Sequence, residues 1–246
     1  MSEAAVAPRA ALDLTYVLYD ESSLVSHVLA LLTLSPILLN PAYAVLAVQT
    51  RELLFIEMWA GQMFCEGLNW ALKHIIREER PNHNLGPGFG FPSSHSQWMG
   101  YFAAFVLCHF TFRHRFVPMG SRLLDIARKS ILHVGVVAWA ALVAYSRYYL
   151  SYHTPHQVIW GSLIGALFGV IYYALVEYIP TRKPSSIMGK ARIALLSNPV
   201  CTWLRIRDGW SVWSDGGMEV QWHRWREEWD GHRSEDNHAR SGIKQE

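Results

Sequence analysis

Residues 22–50, SSLVSHVLALLTLSPILLNPAYAVLAVQT, contain no Asp, Glu, Lys or Arg. A helix needs about 20 mostly apolar residues to cross a bilayer, and this run is long enough. Pro36 and Pro41 are the expected kinks. Similar runs follow. Residues 52–73 make a weaker second span, because Glu57, Gln62, Glu66 and Asn69 interrupt it. Residues 81–112 are uncharged again, but their opening NHNLGPGFGFPSSH is too rich in Gly, Pro and Ser for lipid-facing helix. The third span is therefore expected to start near Ser96. Residues 130–146 give a slightly short fourth span and residues 158–178 a fifth. Five such runs point to an all-α, polytopic membrane helix bundle of about five helices over residues 22–179, and away from buried helices of a soluble protein.

Composition agrees. The 246 residues are 51% hydrophobic and 17% charged, which excludes a disordered or collagen-like chain. A net charge of +2 gives nucleic acid no basic footprint, so no nucleic-acid partner is expected. Cys65, Cys108 and Cys201 have the spacing of neither a disulfide framework nor a zinc ribbon.

Lys and Arg in short loops set orientation. Residues 113–129 carry Arg113, Arg115, Arg122, Arg128 and Lys129 against Asp125 alone. Residues 181–207 carry six bases and no acid, and Arg51 separates the first two spans. With five spans these segments share one side, which is then cytosolic. The acidic segment 1–21 and the loops 74–95 and 147–157 fall on the opposite, exocytoplasmic side. No cleavable signal peptide is read at the acidic N-terminus.

Ionisable residues inside spans are expensive and usually face the bundle interior. Glu66, Asn69, Lys73, Arg77 and Arg80 are spaced to share one helical stripe. That stripe is either a cationic wall of a pocket, with Glu66 and Asn69 steadying Lys73, or a set of Lys and Arg side chains snorkelling at a helix end. Glu57 lies off it and has no evident role. Ser93 and Ser94 enter the third span, where a helix N-terminus can bind an anion. His95 follows them, Arg147 ends the fourth span, and His153 to Gln157 open the fifth. Three fixed cations, hydroxyl donors and two imidazoles on one membrane face are parts for phosphoryl transfer. No metal-ligand spacing is evident, so a metal-free, cofactor-free mechanism is expected.

Lys73-HIIREE-Arg80-Pro81, Pro92-Ser93-Ser94-His95 and Ser146-Arg147-YYLSY-His153-TPH-Gln157 resemble, in order and spacing, the three motifs of the type 2 phosphatidic acid phosphatase superfamily. Two positions depart from its general pattern: Ser94 stands where Gly is usual, and Gln157 where Asp is usual. FPSSHSQW with SRYYLSYHTPHQV looks like the dolichyldiphosphatase branch, in which both are usual. The resemblance implies a lumen-facing site in the endoplasmic reticulum membrane. There the enzyme would hydrolyse dolichyl diphosphate to dolichyl phosphate and phosphate, recycling the lipid carrier of protein N-glycosylation. It further implies that His153 is the nucleophile that becomes phosphohistidine, and His95 the general acid and base. Gln157 orients His153, and Lys73, Arg80, Ser93, Ser94 and Arg147 bind phosphate. Membrane lipid and a polyprenyl diphosphate are the implied partners. Rival functions are a lipid phosphate monoester phosphatase and a non-catalytic lipid-binding or transport protein of the same fold.

The tail, residues 180–246, is expected on the cytosolic side. It holds Trp203, Trp210, Trp213, Trp222, Trp225 and Trp229. Trp222, Trp225 and Trp229 share a helix face, which suits either a membrane interface or a small packed tail. Residues 232–246 are expected to be disordered.

Overall fold

The structure, a computed structural model, describes residues 17–81 and 88–242, with side chains through residue 233. Most of the N-terminal segment, residues 1–16, lies outside the described residues, as do residues 82–87 and the terminal 243–246. The described chain is helical, and the single β-bridge found in it pairs Glu52 with Arg207.

The first rod is broken into α1 (Leu24–Thr33) and α2 (Ser35–Thr50). Ser23 starts α1 by accepting the Ser26 N–H. Pro36 stands in the first turn of α2, where a missing N–H costs nothing, so the break falls just before it at Leu34. Pro41 is carried inside α2. The second rod is α3 (Leu53–Ile76), ended by the left-handed backbone of Arg77 at φ 54°. The third is α4 (Ser94–Phe112), which starts slightly earlier than expected and so takes His95 into its first turn. The fourth, α5 (Arg122–Tyr149), is longer than the expected span. Its first two turns carry charges on accessible faces, where they extend the helix into water without loss. The fifth, α6 (Pro155–Tyr173), continues through a π-helical turn (Ala174–Tyr178) into α7 (Ile179–Arg182).

Three rods, Leu24–Thr50, Arg122–Tyr149 and Pro155–Arg182, are long and apolar enough to cross a membrane. The other two, α3 and α4, have 24 and 19 residues. Their hydropathy is lowered by Gln62, Asn69 and Gln97, which are buried inside the bundle rather than turned to lipid. The outward faces are apolar instead: Val48, Phe64, Ile131, Val134, Leu163 and Leu167 are all exposed. That inside-out distribution belongs to a helix bundle in hydrocarbon.

The central helix is α4, which packs on α3, α5 and α6. Met99, Tyr101 and Phe105 are fully buried, and the Tyr101 hydroxyl donates to Met58 O at 2.9 Å. The α4–α6 seam rests on Gly161, Gly165 and Gly169, one helical turn apart. A Cβ on Gly161 would lie 2.7 Å from Ser93 O and one on Gly169 2.8 Å from Tyr101 O, while one on Gly165 would strike Gln97 O. Small residues let the two backbones meet directly.

The tail starts with α8 (Ile187–Leu196), α9 (Pro199–Trp203) and α10 (Gly209–Val212), and ends in α11 (Met218–Gly242). Its first part is pinned to the bundle. Arg207 N–H donates to Arg51 O at 2.9 Å, Leu53 N–H to Arg207 O at 2.8 Å and Arg115 N–H to Ser214 O at 2.8 Å. Residue 180 thus marks a change of composition, not a gap in packing. In α11 the Trp225 and Trp229 rings stack at 5.8 Å, and Trp222, Trp225 and Trp229 stay half-exposed. This helix covers most of the stretch expected to be disordered.

Glu57 acquires a partner in this docking. Arg192 of α8 reaches Glu57 at 3.1 Å, Glu177 at 2.9 Å and Asp208 at 2.8 Å. Arg113 joins from the end of α4, at 3.1 Å from Glu177 and 2.6 Å from Asp208. The π-helical turn carries Glu177 into this cluster. Of Arg192 and Arg113, read from sequence as loop charges that fix orientation, the first is a buried and the second a largely covered structural cation. Burial would raise Asp208, but Arg192 and Arg113 hold its carboxyl below the usual range.

Candidate active site

The opposite end of the bundle gathers the three motifs. The last turn of α5 presents Ser146 and Arg147, and the chain then reverses through Ser151 in left-handed backbone at φ 60°. The N–H groups of Tyr152 and His153 both return to Arg147 O, at 3.1 and 3.2 Å. This tight reversal lays the Tyr152 ring 3.9 Å from the Arg147 guanidinium carbon and buries His153. Arg147 Nη1 donates to Thr33 Oγ1 at 3.4 Å, and Thr33 Oγ1 lies 2.7 Å from Ser146 Oγ. Arg147 Nε forms no hydrogen bond among the described residues. The guanidinium is therefore held by its flat face and one edge, with donor capacity left over.

Thr154 and Gln157 form a capping box that opens α6, with both reciprocal hydrogen bonds at 3.3 Å. The same Gln157 Oε1 lies 3.1 Å from His153 Nδ1. Gln157 Nε2 donates to Glu78 Oε1 at 2.7 Å and to Glu79 O at 2.9 Å. Two acceptors on the NH₂ end fix which way the amide points. Its oxygen must face the imidazole, so His153 Nδ1 carries the hydrogen and Nε2 carries a lone pair. Burial and Arg147 push the His153 pKa down to about 3 against the opposing Gln157 hydrogen bond, so the ring is neutral at pH 7.

The start of α4 is bound to this unit. Ser93 N–H donates to Gln157 O at 3.1 Å. Ser93 occupies the N-cap position, yet its side chain makes no capping bond and accepts instead from Ser96 Oγ at 3.0 Å. Lys73, on the last turn of α3, donates to Ser94 Oγ at 2.9 Å. His95 stands in the field of Arg147, His153, Lys73 and Arg80, so these five groups share one site. First-turn N–H groups of α4 add an anion-binding edge.

The stripe expected along α3 holds only as far as Lys73. Arg77 ends the helix and turns outward, donating Nε–H to His74 O at 2.9 Å. Arg80 reaches the site from the irregular segment beyond, close enough to act on Lys73 and His153. A left-handed residue at position 77 breaks the helical register on which the stripe depended. Asn69 does not steady Lys73. It donates to Gln97 Oε1 at 2.8 Å and Pro92 O at 3.4 Å, clamping α3 to the entrance of α4.

Sequence reading assigned no role to Glu78, Tyr152, Thr33 or the glycine seam. Glu78 lies inside the quoted Lys73–Arg80 motif, and Tyr152 adjoins His153. The Gly161-Gly165-Gly169 spacing is a readable small-residue signal. Thr33 carries no sequence signal, since only tertiary packing brings it to Ser146.

The family model described as PAP2 superfamily matches residues 53–180. Dolichyldiphosphatase 1 of Mus musculus is 37% identical over 172 residues, covering 68% of this chain and 72% of its own. Dolichyldiphosphatase of Saccharomyces cerevisiae is 34% identical over 175 residues, covering 68% of this chain and 70% of its own. A Neurospora crassa protein is 30% identical over 91% of this chain and 94% of its own, so that likeness extends into the tail. No solved structure matches.

Proposed function

The chain belongs to the PAP2 superfamily, and from that membership and the geometry of its site we propose that it hydrolyses dolichyl diphosphate to dolichyl phosphate and phosphate. The observation that carries the reaction type is the buried, neutral His153 with its Nδ1 committed to Gln157. Its Nε2 lone pair attacks the terminal phosphorus, and the bond from phosphorus to the bridging oxygen breaks. His95, which holds a proton once the anionic diphosphate fills the site, gives it to that oxygen as dolichyl phosphate leaves. His95 then takes a proton from water, the oxygen attacks the phosphohistidine, and the N–P bond breaks to release phosphate. Lys73, Arg80 and Arg147 hold the phosphoryl oxygens, and Ser93 and Ser94 complete the phosphate cradle. This positive charge is fixed before the substrate arrives, which is the efficient way to stabilise charge that develops at phosphorus.

Gln157 in place of Asp fits a diphosphate. A phosphate monoester leaves more readily than a lipid alkoxide, so the nucleophile needs less help.

The site lies at the end of the bundle opposite Arg51, residues 113–129 and the docked tail. With those basic segments in the cytosol, the reaction takes place on the lumenal face of the endoplasmic reticulum membrane. The product there is the carrier lipid of N-glycosylation, ready for return.

Purified protein should release phosphate from dolichyl diphosphate in preference to phosphatidate, and rapid quenching should trap an acid-labile phosphohistidine that is absent from His153→Ala. Preference for phosphatidate would instead make it a monoester phosphatase. No turnover of either lipid would leave a lipid-binding protein.

A further inference from the structure

The position four residues after His153 that ordinarily carries a carboxylate in this superfamily carries an amide here, yet a carboxylate stands directly behind that amide. Glu78 Oε1 accepts from Gln157 Nε2 at 2.7 Å, while Gln157 Oε1 lies 3.1 Å from His153 Nδ1. We propose that Glu78 is a positioning residue acting through Gln157: His153, Gln157 and Glu78 form a relay in which the Glu78 carboxylate orients the amide and supplies, one group removed, the negative charge missing next to the nucleophile. The proposal rests on the hydrolytic reading above.

Three features place Glu78 there. Its carboxylate accepts from Gln157 Nε2 at 2.7 Å while Glu79 O accepts from the same nitrogen at 2.9 Å, so both amide hydrogens are used. Its backbone is pinned, because Gly90 N–H donates to Glu78 O at 2.7 Å. Gly90 has no room for a side chain, since a Cβ there would sit 2.7 Å from Gln157 Nε2. The loop, the Glu78 backbone and the amide therefore lie face to face. The competing role for Glu78 is a surface pair with His156, but that contact is 3.9 Å between side chains 60% and 37% exposed, and such pairs are worth little.

Such a charge would stabilise the intermediate. When His153 Nε2 bonds to phosphorus and the bridging P–O bond breaks, the ring keeps its Nδ1 hydrogen and becomes cationic. A neutral amide oxygen stabilises that cation weakly. An amide whose NH₂ end donates to a carboxylate is polarised toward its oxygen and does so better. No proton needs to leave Nδ1, and none passes along the relay.

Glu78→Gln tests the charge, since its amide oxygen can still accept from Gln157. Turnover of dolichyl diphosphate should fall about 10-fold in kcat with KM little changed, the scale of an outer partner that tunes an imidazole. In Gln157→Asp the two carboxylates face each other and repel, so adding Glu78→Gln should raise kcat rather than lower it. Equal kcat in Glu78→Gln and the parent, or simple additivity with Gln157→Asp, overturns the relay. A readout without substrate separates this from the function itself. In ¹⁵N-histidine spectra of the full chain, with His153 assigned by its loss in His153→Ala, the Nδ1–H tautomer should dominate, and its Nδ1 signal should move in Glu78→Gln. An unmoved signal overturns the relay even if the protein is active. A moved signal in a protein inert toward dolichyl diphosphate supports the relay and overturns the proposed substrate.

Discussion

At the residue scale, the proposed site divides labour between groups that would hold the phosphate and groups that would react with it. Arg147 is stacked on Tyr152 and bonded to Thr33, so its fork is set before substrate binds. Arg147→Lys would lose both the stack and the fork, and should cost more activity than loss of one charge explains. His153→Ala removes the proposed attacking atom, and phosphate release should fall to background; a fully active variant would refute the mechanism. His95→Ala should slow dolichyl diphosphate hydrolysis by roughly 10²–10⁴-fold, and hydrolysis of a lipid phosphate monoester by more, because an alkoxide needs the proton more than a phosphate does. The His153 ring also makes a pH prediction. Unfolded, a histidine titrates near 6.5; folded, this one stays neutral down to about 3, through burial and Arg147. Between those values the unfolded chain binds a proton that the folded chain refuses. His153 therefore withdraws stability as pH falls below 6.5 and imposes no penalty above it. Its NMR signals should not titrate from pH 5 to 8, and a midpoint near 6.5 would show a hydrated ring.

At the element scale, the geometry of the proposed site depends on how closely α4 approaches α6. Ser93, Ser94 and His95 ride on one helix, and His153 and Gln157 stand at the head of the other. Gly165 is the tightest point of the seam, where an added Cβ would strike the Gln97 carbonyl. Gly165→Ala should push the helices apart at a cost of about 1–3 kcal/mol and reduce activity with it. Gly67, inside α3, is the contrast, since its Cβ would meet nothing within 4 Å. Gly67→Ala should be neutral or stabilising by up to about 1 kcal/mol, from the gain in helix propensity. Thermal midpoints in detergent decide this, and equal midpoints for the two variants would remove the seam argument.

At the scale of the molecule, the two ends of the bundle use charge in opposite ways. The site end gathers Lys73, Arg80 and Arg147 around His95 and His153. The far end neutralises its own: Arg192 and Arg113 are surrounded by Glu57, Glu177 and Asp208. Arg192→Met would leave Glu57 without its partner and Glu177 and Asp208 with Arg113 alone; it should cost about 3–5 kcal/mol, releasing the tail from the bundle. Limited proteolysis near residue 185 would read that release, and unchanged protection would overturn it. Because the site end is already cationic, turnover should survive excess chelator; abolition reversed by magnesium would overturn the metal-free mechanism. In a variant lacking Cys65, Cys108 and Cys201, a Cys at position 21 should be labelled only once the lumen is opened. A Cys at position 119 should be labelled from the cytosol.

The order of the rods and the all-α membrane architecture were legible in the sequence, because partition into lipid depends on local sums of side-chain hydropathy over about 20 residues. The three motif segments were legible as well, because each is short enough for spacing alone to define it. Tertiary packing decided which side chains meet. Glu57 looked purposeless until Arg192, 135 residues away, closed on it. Thr33 met Ser146 across 113 residues, and Gln157 met Glu78 across 79. Arg77 left its stripe because a single left-handed residue ended α3, a choice that helical periodicity does not carry. Hydropathy and spacing are properties of a line, whereas a buried polar group is satisfied by whatever the folded helices bring within about 3 Å of it.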